Sequence, residues 1–194
     1  MLASGIAAFD ACRIYADECK PFDRDRKGLV LGEAAAFFLM ARDTVGGRPL
    51  AWIDGVGSTC DAMDTAAMNS IAISKTIMQT TPVDIDYIMA HGTGTIENDE
   101  AEADAIRQVW PDCNTPLVAS YKGALGHPQG ASGAVGLALV FEAFETGHAF
   151  VTDIQNPDEE LNLRLVGQPS LLNRALVLSY GTWGVNTAMK VVRE

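Results

Sequence analysis

The chain has 194 residues, of which 48% are hydrophobic and 20% are charged, and its formal net charge is −11. This apolar content excludes a disordered chain, and the length is sufficient for one globular core. The acidic surplus argues against nucleic acid or an anionic membrane surface as a partner, because both require a basic face.

The first half of the chain predicts two helices and two strands. Hydrophobic periodicity predicts a helix over 6–19, with Ile6, Phe9, Ile14 and Tyr15 buried. The mostly small and apolar run 28–40 predicts a buried strand, and a second strand is expected over 50–58. A helix over 65–79 then ends at Thr81-Pro82.

The second half alternates short strands with helices. Strands are predicted over 86–90 and 117–120, with helices from a cap at Asn98 or Asp99 and over 131–144. A terminal hairpin is expected from 175–180 and 187–192. This alternation predicts a single layered α/β domain.

The four cysteines do not form a metal or redox motif. Cys12, Cys19, Cys60 and Cys113 contain neither a C-x-x-C pair nor a nearby histidine spacing, so we expect no metal. The chain shows no signal-peptide pattern, and no apolar run approaches the roughly 20 residues of a membrane span. A reduced, cytoplasmic protein is therefore expected.

A histidine and a glycine-rich loop follow the strand predicted over 86–90. The sequence is His91-Gly92-Thr93-Gly94-Thr95. A histidine at a strand end is more often a structural residue than a catalyst. The two glycines, however, allow a ligand to approach the backbone, and both threonine hydroxyls would lie on one side of the loop.

A second such loop runs from Lys122 to His127, directly after the strand predicted over 117–120. A lone lysine in a loop is usually a solvated surface charge, and a histidine beside Pro128 is usually a turn residue. Here small residues surround both, and a helix that starts just after His127 would direct its amide dipoles toward a developing negative charge. Such a loop favours an oxyanion-stabilising site without a metal.

The turn 179–186 is the third unusual segment, with one aromatic residue and one glycine on each side of Thr182. It is consistent with an ordinary hairpin turn and also with a mobile gate.

Together these segments resemble the β-ketoacyl synthases (ketosynthases) of fatty-acid and polyketide assembly, which have the thiolase fold. Five groups of residues carry the resemblance, in the family's order. They are Pro21-Phe22-Asp23 with Arg26, Gly28, Gly32 and Glu33; His91-Gly92-Thr93-Gly94-Thr95 with Asn98, Asp99 and Glu102; Lys122 with Gly126-His127 and Gly130-Ala131; Asn156-Pro157-Asp158; and Ser179, Gly181, Gly184 and Asn186.

The resemblance implies a layered thiolase-like fold, of which residues 1–194 form the C-terminal half: a mixed β-sheet with helices on both faces. It implies that His91 and His127 hold the malonyl thioester carbonyl during decarboxylative Claisen condensation, and that Lys122 sets the charge around them.

The resemblance also implies that Thr93 and Thr95 match positions that contact the pantetheine arm. Asp99 and Glu102 match acidic positions behind the site, from which a carboxylate would keep Lys122 charged. No cofactor is implied beyond the phosphopantetheine of an acyl carrier protein, which delivers the acyl and malonyl groups.

The departures from the family are equally informative. The family's cysteine nucleophile belongs to the first half of the fold, and none of the four cysteines here matches it. In the gate loop Gly181–Gly184, Thr182 replaces the family's phenylalanine and Trp183 replaces a glycine, which should restrict the loop and fill space for an acyl chain. Gly136 stands where an acidic residue is expected.

Two functions remain open from the sequence. The chain is either a non-catalytic subunit that pairs with a complete ketosynthase, like a chain-length factor, or one half of a split ketosynthase that supplies His91, His127 and Lys122 to a cysteine on another polypeptide. The altered gate favours the first, and retention of all three residues motivates the second. The net charge of −11 does not distinguish these two functions. Arg24, Arg26 and Lys27 form either a basic patch for an acidic carrier protein or an internally paired loop.

A stand-alone binding module is a third class. It is disfavoured because half of a thiolase fold leaves its central helix layer uncovered, and an apolar face of that size requires a partner.

Overall fold

A computed structural model describes residues 3–42, 47–61, 68–111 and 115–193. The strands are β1 (Trp52–Cys60), β2 (Tyr87–Met89), β3 (Leu117–Ala119), β4 (Arg174–Gly181) and β5 (Val185–Val192). The α-helices are α1 (Ala3–Ala11), α2 (Ser70–Gln79), α3 (Ile96–Val109), α4 (Lys122–Leu125) and α5 (Ser132–Thr146). Short 3-10 turns span Gln129–Ala131, Glu159–Leu161 and Thr182–Gly184.

The five strands form one mixed sheet in the order β1-β5-β4-β2-β3. β2 pairs in parallel with both β3 and β4, whereas β5 pairs antiparallel with β4 and β1. The predicted terminal hairpin is confirmed by the β4–β5 pairing. Because β2 and β3 are parallel neighbours, the loops that leave their carboxyl ends emerge side by side.

Helices cover both faces of this sheet, as the resemblance implied. On one face α2 and α3 pack over a core that includes Ile73, Ile77, Ile88 and Ile106. On the other face α5 packs over β2 and β4 through Val140, Ala143 and Phe144, in a core that also contains Tyr87 and Leu117. Each short strand is therefore buried on both sides, which explains why β2 and β3 read as continuous apolar runs.

Local chemistry sets the helix ends. The Asn69 side chain accepts the backbone N–H groups of Ile71 and Ala72 and starts α2, so the helix begins at Ser70 instead of residue 65. Residues 65–67 lie outside the described residues. The predicted Asn98 or Asp99 cap is wrong, because α3 begins at Ile96 and Asp99 bonds to the preceding loop instead.

The prediction for residues 6–19 is correct only at its start. α1 ends at Ala11, and Tyr15 instead forms an isolated parallel bridge with Leu29. Ile6 is exposed, whereas Ile14 and Tyr15 are half-buried. The positive φ of Arg13, 54°, ends the helix before the predicted residue 19.

The buried strand predicted over 28–40 is the clearest error. Leu29 and Leu31 make isolated bridges to Tyr15 and His127, but no strand is formed. Phe37 and Leu39 are each 96% exposed. Leu29 is buried, but among the described residues no strand pairs with the end of this segment, where only Phe38 makes a ring contact, with Phe141.

Within the described part of the chain, no helix is both long and apolar enough to cross a membrane. The same residues hold no group of three or more histidine, cysteine, aspartate or glutamate side chains arranged to bind a metal ion.

Candidate functional site

Two loops at the carboxyl ends of β2 and β3 bring the predicted residues together. His91 follows β2, and Lys122 follows β3, whose last residue Ala119 pairs with Met89 of β2. The α4 turn then leads to His127. The backbone of His127 is held by a third segment, because its N–H donates to Val30 at 2.7 Å and its carbonyl accepts from Gly32 at 3.0 Å.

The two histidine rings lie next to each other. Their centroids are 5.2 Å apart and the rings are nearly perpendicular, at 83°. Both residues are buried. The structure therefore places the two predicted histidines side by side.

Hydrogen bonds fix the tautomer of His127. Its Nδ1 accepts the backbone N–H of Gln129 at 3.0 Å and lies 3.3 Å from the Ser132 hydroxyl. Burial, assisted by the charge of Lys122, lowers the pKa of His127 to about 3. The ring is therefore neutral near pH 7 and carries its proton on Nε2, where it is a hydrogen-bond donor.

His91 is neutral for similar reasons. Burial, together with the nearby charge of Lys122, holds the pKa of His91 well below its usual value. Its Nδ1 lies 3.5 Å from the Lys122 ammonium, which favours a proton on Nε2 in this ring as well. The Tyr180 ring also lies against His91, at 5.1 Å between the ring centroids.

Side chains satisfy every backbone polar group of His91 and Gly92. The Glu102 carboxylate accepts the N–H of His91 at 2.8 Å and that of Gly92 at 2.7 Å. The Lys122 ammonium donates to the His91 carbonyl, and the Ser120 hydroxyl donates to the Gly92 carbonyl at 2.7 Å. The position of His91 is thus set by three buried side chains instead of by a regular strand or helix.

Asp99 holds the rest of this loop in the same way. One carboxylate oxygen accepts the N–H groups of Thr93 and Gly94, and the other accepts the N–H of Phe22 at 2.8 Å. Burial raises the pKa of Asp99, and it raises that of Glu102 to about 7. Both acidic residues lie at the site, where they anchor the loop backbone.

Lys122 is fully buried, and no ion pair joins it to another described residue. Burial lowers its pKa to about 8, although the charge of Glu102 opposes this shift. The ammonium is held by the His91 carbonyl and lies 5.0 Å from the centroid of the Tyr121 ring. Gly136, at the position where an acidic residue was expected, has no side chain to pair with Lys122. The packing there is tight, because a Cβ would lie 3.0 Å from Met89 and 3.2 Å from Val177.

The two predicted pantetheine-contacting threonines are adjacent. The hydroxyls of Thr93 and Thr95 are 2.9 Å apart, and both residues are buried. The structure thus brings them to one side of the glycine loop.

The gate loop Gly181–Gly184 forms a 3-10 turn beyond Tyr180. Trp183 adopts a φ of 66° and its side chain is 61% exposed. The loop reaches the histidine pair only through Tyr180 among the described ring contacts. The indole therefore does not pack into the site.

The described cysteines show no activated thiol. Cys12 and Cys60 are exposed, and Cys60 is the last residue of β1. Cys19 is buried beside the histidine loop and donates to the Thr93 carbonyl at 3.2 Å, but burial raises its pKa to about 11, so it stays protonated. Cys113 lies outside the described residues.

Sequence reasoning missed Ser120, Ser132 and Tyr180. All three contact the histidines or their loops. Ser120 and Tyr180 sit at the carboxyl ends of strands, the position that singled out His91, and that signal was available for both.

Comparison with known proteins identifies the family. Residues 50–152, more than half of the chain, match the model of the β-ketoacyl synthase C-terminal domain. The chain is 35% identical over 208 residues to 3-oxoacyl-[acyl-carrier-protein] synthase 2 of Mycobacterium leprae, covering 95% of this chain and 49% of that protein.

Two solved structures have the same fold over the whole chain. The ishigamide ketosynthase/chain length factor matches with a TM-score of 0.88 and 28% identity, covering 100% of this chain and 52% of that one. The ketosynthase ApeO in complex with its chain length factor ApeC, from Xenorhabdus doucetiae, matches with a TM-score of 0.81 and 25% identity, covering 100% and 51%. The chain spans about half the length of these relatives. It belongs to the β-ketoacyl synthase family, in which it corresponds to the C-terminal half of the thiolase-like fold.

Proposed function

We propose that this chain supplies the malonyl-activating half of a β-ketoacyl synthase site, in which His91, His127 and Lys122 act together with a cysteine from outside these 194 residues. The observation that carries the proposal is the neutral histidine pair. Two buried imidazoles, each with its proton on Nε2, offer two N–H donors within one site. A pure scaffold has no physical need for this arrangement.

The proposed reaction begins with a malonyl thioester on the phosphopantetheine arm of an acyl carrier protein. The bond between the α-carbon and the carboxylate breaks, carbon dioxide leaves, and the electron pair passes to the thioester oxygen as an enolate. The two Nε2–H groups would stabilise that oxygen as it gains charge, because neutral donors in a buried site are most effective where charge develops. The enolate carbon then attacks the acyl thioester on the cysteine, and the thiolate leaves.

Lys122 supports this chemistry through its charge. The ammonium is adjacent to Nδ1 of His91 and keeps both histidines neutral by raising the cost of a second positive charge. A protonated imidazole pair would bind a carboxylate; a neutral pair beside one ammonium favours the loss of that carboxylate as carbon dioxide.

The surface supports a polypeptide partner. Phe37, Leu39 and Met40 are exposed on one segment, next to α5. Three large apolar side chains in four residues are unusual on a free surface and are typical of a buried contact. We infer that the cysteine-bearing half of the ketosynthase covers this segment.

A second candidate is a chain-length-factor-like subunit that pairs with a complete ketosynthase without catalysing the reaction. Two observations favour it: similarity to structures that contain a ketosynthase with a chain length factor, and Trp183 in the gate loop. The sequence alone favoured this candidate. The intact neutral histidine pair shifts the preference to the catalytic half.

One experiment separates the candidates. The chain is co-expressed with a cysteine-bearing ketosynthase polypeptide, and carbon dioxide release from malonyl-acyl carrier protein is measured for wild type, His127→Ala and a control, His148→Ala, on an exposed loop. The catalytic proposal predicts that His127→Ala lowers the rate about a hundredfold, whereas His148→Ala has no effect. A rate that requires the chain but is indifferent to His127→Ala would establish the chain-length-factor-like role instead.

A further inference from the structure

Ser120 connects the two loops of the site with a single hydroxyl. Its Oγ donates to the Gly92 carbonyl at 2.7 Å and accepts the backbone N–H of Lys122 at 3.2 Å. Ser120 therefore contacts the residue after His91 and the backbone of Lys122 at once. A hydroxyl has one proton to donate, so this pair of bonds sets its orientation.

The surroundings leave Ser120 little freedom. It is 1% exposed, and its own backbone N–H donates to the Thr152 hydroxyl at 2.8 Å. Gly92 has a φ of 35°, and a side chain there would come within 2.6 Å of the Ser120 Cβ. The two loops are thus in contact at this point, and only a small side chain with a hydroxyl can both fit and bridge them.

Two bonds then connect the loops: the Ser120 hydroxyl to Gly92, and the Lys122 ammonium to His91. The second depends on where the Lys122 backbone lies, and Ser120 also holds that backbone. Loss of the Ser120 hydroxyl would leave the buried Gly92 carbonyl without its donor and would release Lys122 at the same time.

We propose that Ser120 is a positioning residue: its hydroxyl couples the loop that carries His91 to the loop that carries Lys122, and so fixes the distance between the two histidine rings. The catalytic consequence of this coupling rests on the proposed function; the structural consequence does not.

The first test measures geometry in the purified full chain. The chain has three histidines, so ring resonances are readily assigned by substitution. We expect a nuclear Overhauser effect between the rings of His91 and His127 in the wild type, and its marked weakening in Ser120→Ala. The matched control is Ser74→Ala, which removes another buried serine hydroxyl, on α2, from bonds to Ile71 and Gln108. That variant should keep the wild-type effect.

The second test measures decarboxylation of malonyl-acyl carrier protein with the cysteine-bearing partner. Ser120→Ala should lower kcat about a hundredfold with little change in KM, because misplacement of catalytic groups by about 1 Å costs that much. Ser120→Cys retains a weak donor of similar size, so its kcat should lie between those of the wild type and Ser120→Ala. If the alanine variant does not fold, Ser120→Cys takes its place in both tests.

Wild-type ring proximity in the variant, or an unchanged kcat in an active complex, would overturn the role of Ser120. A wild-type complex without activity would instead refute the proposed function, and the ring measurement would still decide whether Ser120 positions the histidines.

Discussion

The backbone N–H of Gln129 donates to Nδ1 of His127 at 3.0 Å, and Gln129 adopts a positive φ of 50° to do so. A non-glycine residue in this region of φ is uncommon and carries a conformational cost. The bond fixes which nitrogen of His127 holds the proton before any ligand arrives. The donor on Nε2 is therefore preorganised, which is what an oxyanion-stabilising group requires.

The neutral state of His127 makes the stability of the chain sensitive to acid. Its pKa is about 3 in the folded chain and near 6.5 when unfolded, so the unfolded state binds more protons between these values. The contribution of His127 is therefore complete above pH 6.5 and is lost as the pH falls toward 3, by about 1.4 kcal/mol per pH unit.

The check is urea unfolding of wild type and His127→Gln at pH 7, 6, 5 and 4. The difference in unfolding free energy between the two proteins should shift in favour of the variant by roughly 1 kcal/mol per unit below pH 6. Groups common to both proteins, including Glu102 with its opposite sign, cancel in this difference. A difference that is independent of pH would contradict the assignment.

Gly32 determines where His127 lies. A Cβ at Gly32 would overlap the carbonyl oxygen of Leu125 and crowd Gly126, just before the histidine. We expect Gly32→Ala to destabilise the chain by about 1–3 kcal/mol and to displace His127, since backbone atoms cannot rotate away as a side chain can.

Gly130→Ala is the control for this change, because a Cβ at Gly130 meets nothing within 4 Å. It should be neutral or slightly stabilising, by about 0.5 kcal/mol. Thermal unfolding midpoints of both variants measure the difference in stability. Equal midpoints would show that segment 31–32 can shift to accommodate a side chain without loss of stability.

Arg26 and Asp158 join the loop 21–26 to the loop 156–158. Their ion pair is 2.5 Å long, and the Arg26 side chain is almost completely buried. Among the described residues, Asp158→Asn would leave that buried guanidinium with the Asp23 carbonyl and a single carboxylate, the exposed Glu100 at 3.4 Å, so we expect a loss of about 3 kcal/mol.

Asp104→Asn tests the same chemistry at the surface, where Asp104 pairs with the partly exposed Arg107. Its cost should be about 1 kcal/mol or less in chemical denaturation. This contrast also bears on the basic residues 24–27: Arg26 belongs to an internal pair, whereas Arg24 and Lys27 are exposed.

The candidate site residues that directly follow a strand could be predicted from the sequence. His91 and Lys122 follow β2 and β3 directly, and parallel neighbouring strands bring their loops together. The hydrogen bonds that hold those residues in place could not be predicted from the sequence. Glu102 matched an acidic position, but its bonds to the His91 and Gly92 backbone depend on how α3 packs against the loop, which no local pattern encodes.

The failed strand prediction for 28–40 has a different origin. An apolar composition indicates that a segment is buried, but it does not identify the strand, helix or chain that covers it. Phe37 and Leu39 have the composition of a buried strand and no paired strand among the described residues. This is the segment that we propose a polypeptide partner covers, and the relatives that the chain matches are about twice as long.

Trp183 should be replaceable by glycine with a gain in stability. Its φ of 66° costs an L-residue roughly 1–2 kcal/mol that glycine avoids, and its indole is 61% exposed, so little burial is lost. Trp183→Ala removes the indole but keeps the Cβ, so the step from alanine to glycine isolates the backbone strain. We expect that step to stabilise the chain by about 1 kcal/mol in urea unfolding.

Thr182→Gly, at a neighbouring residue whose φ is not positive, should instead destabilise the chain by about 0.5–1 kcal/mol. If both glycines destabilise equally, the turn gains its stability from the Trp183 side chain, and the indole has a packing role that the exposed conformation does not show.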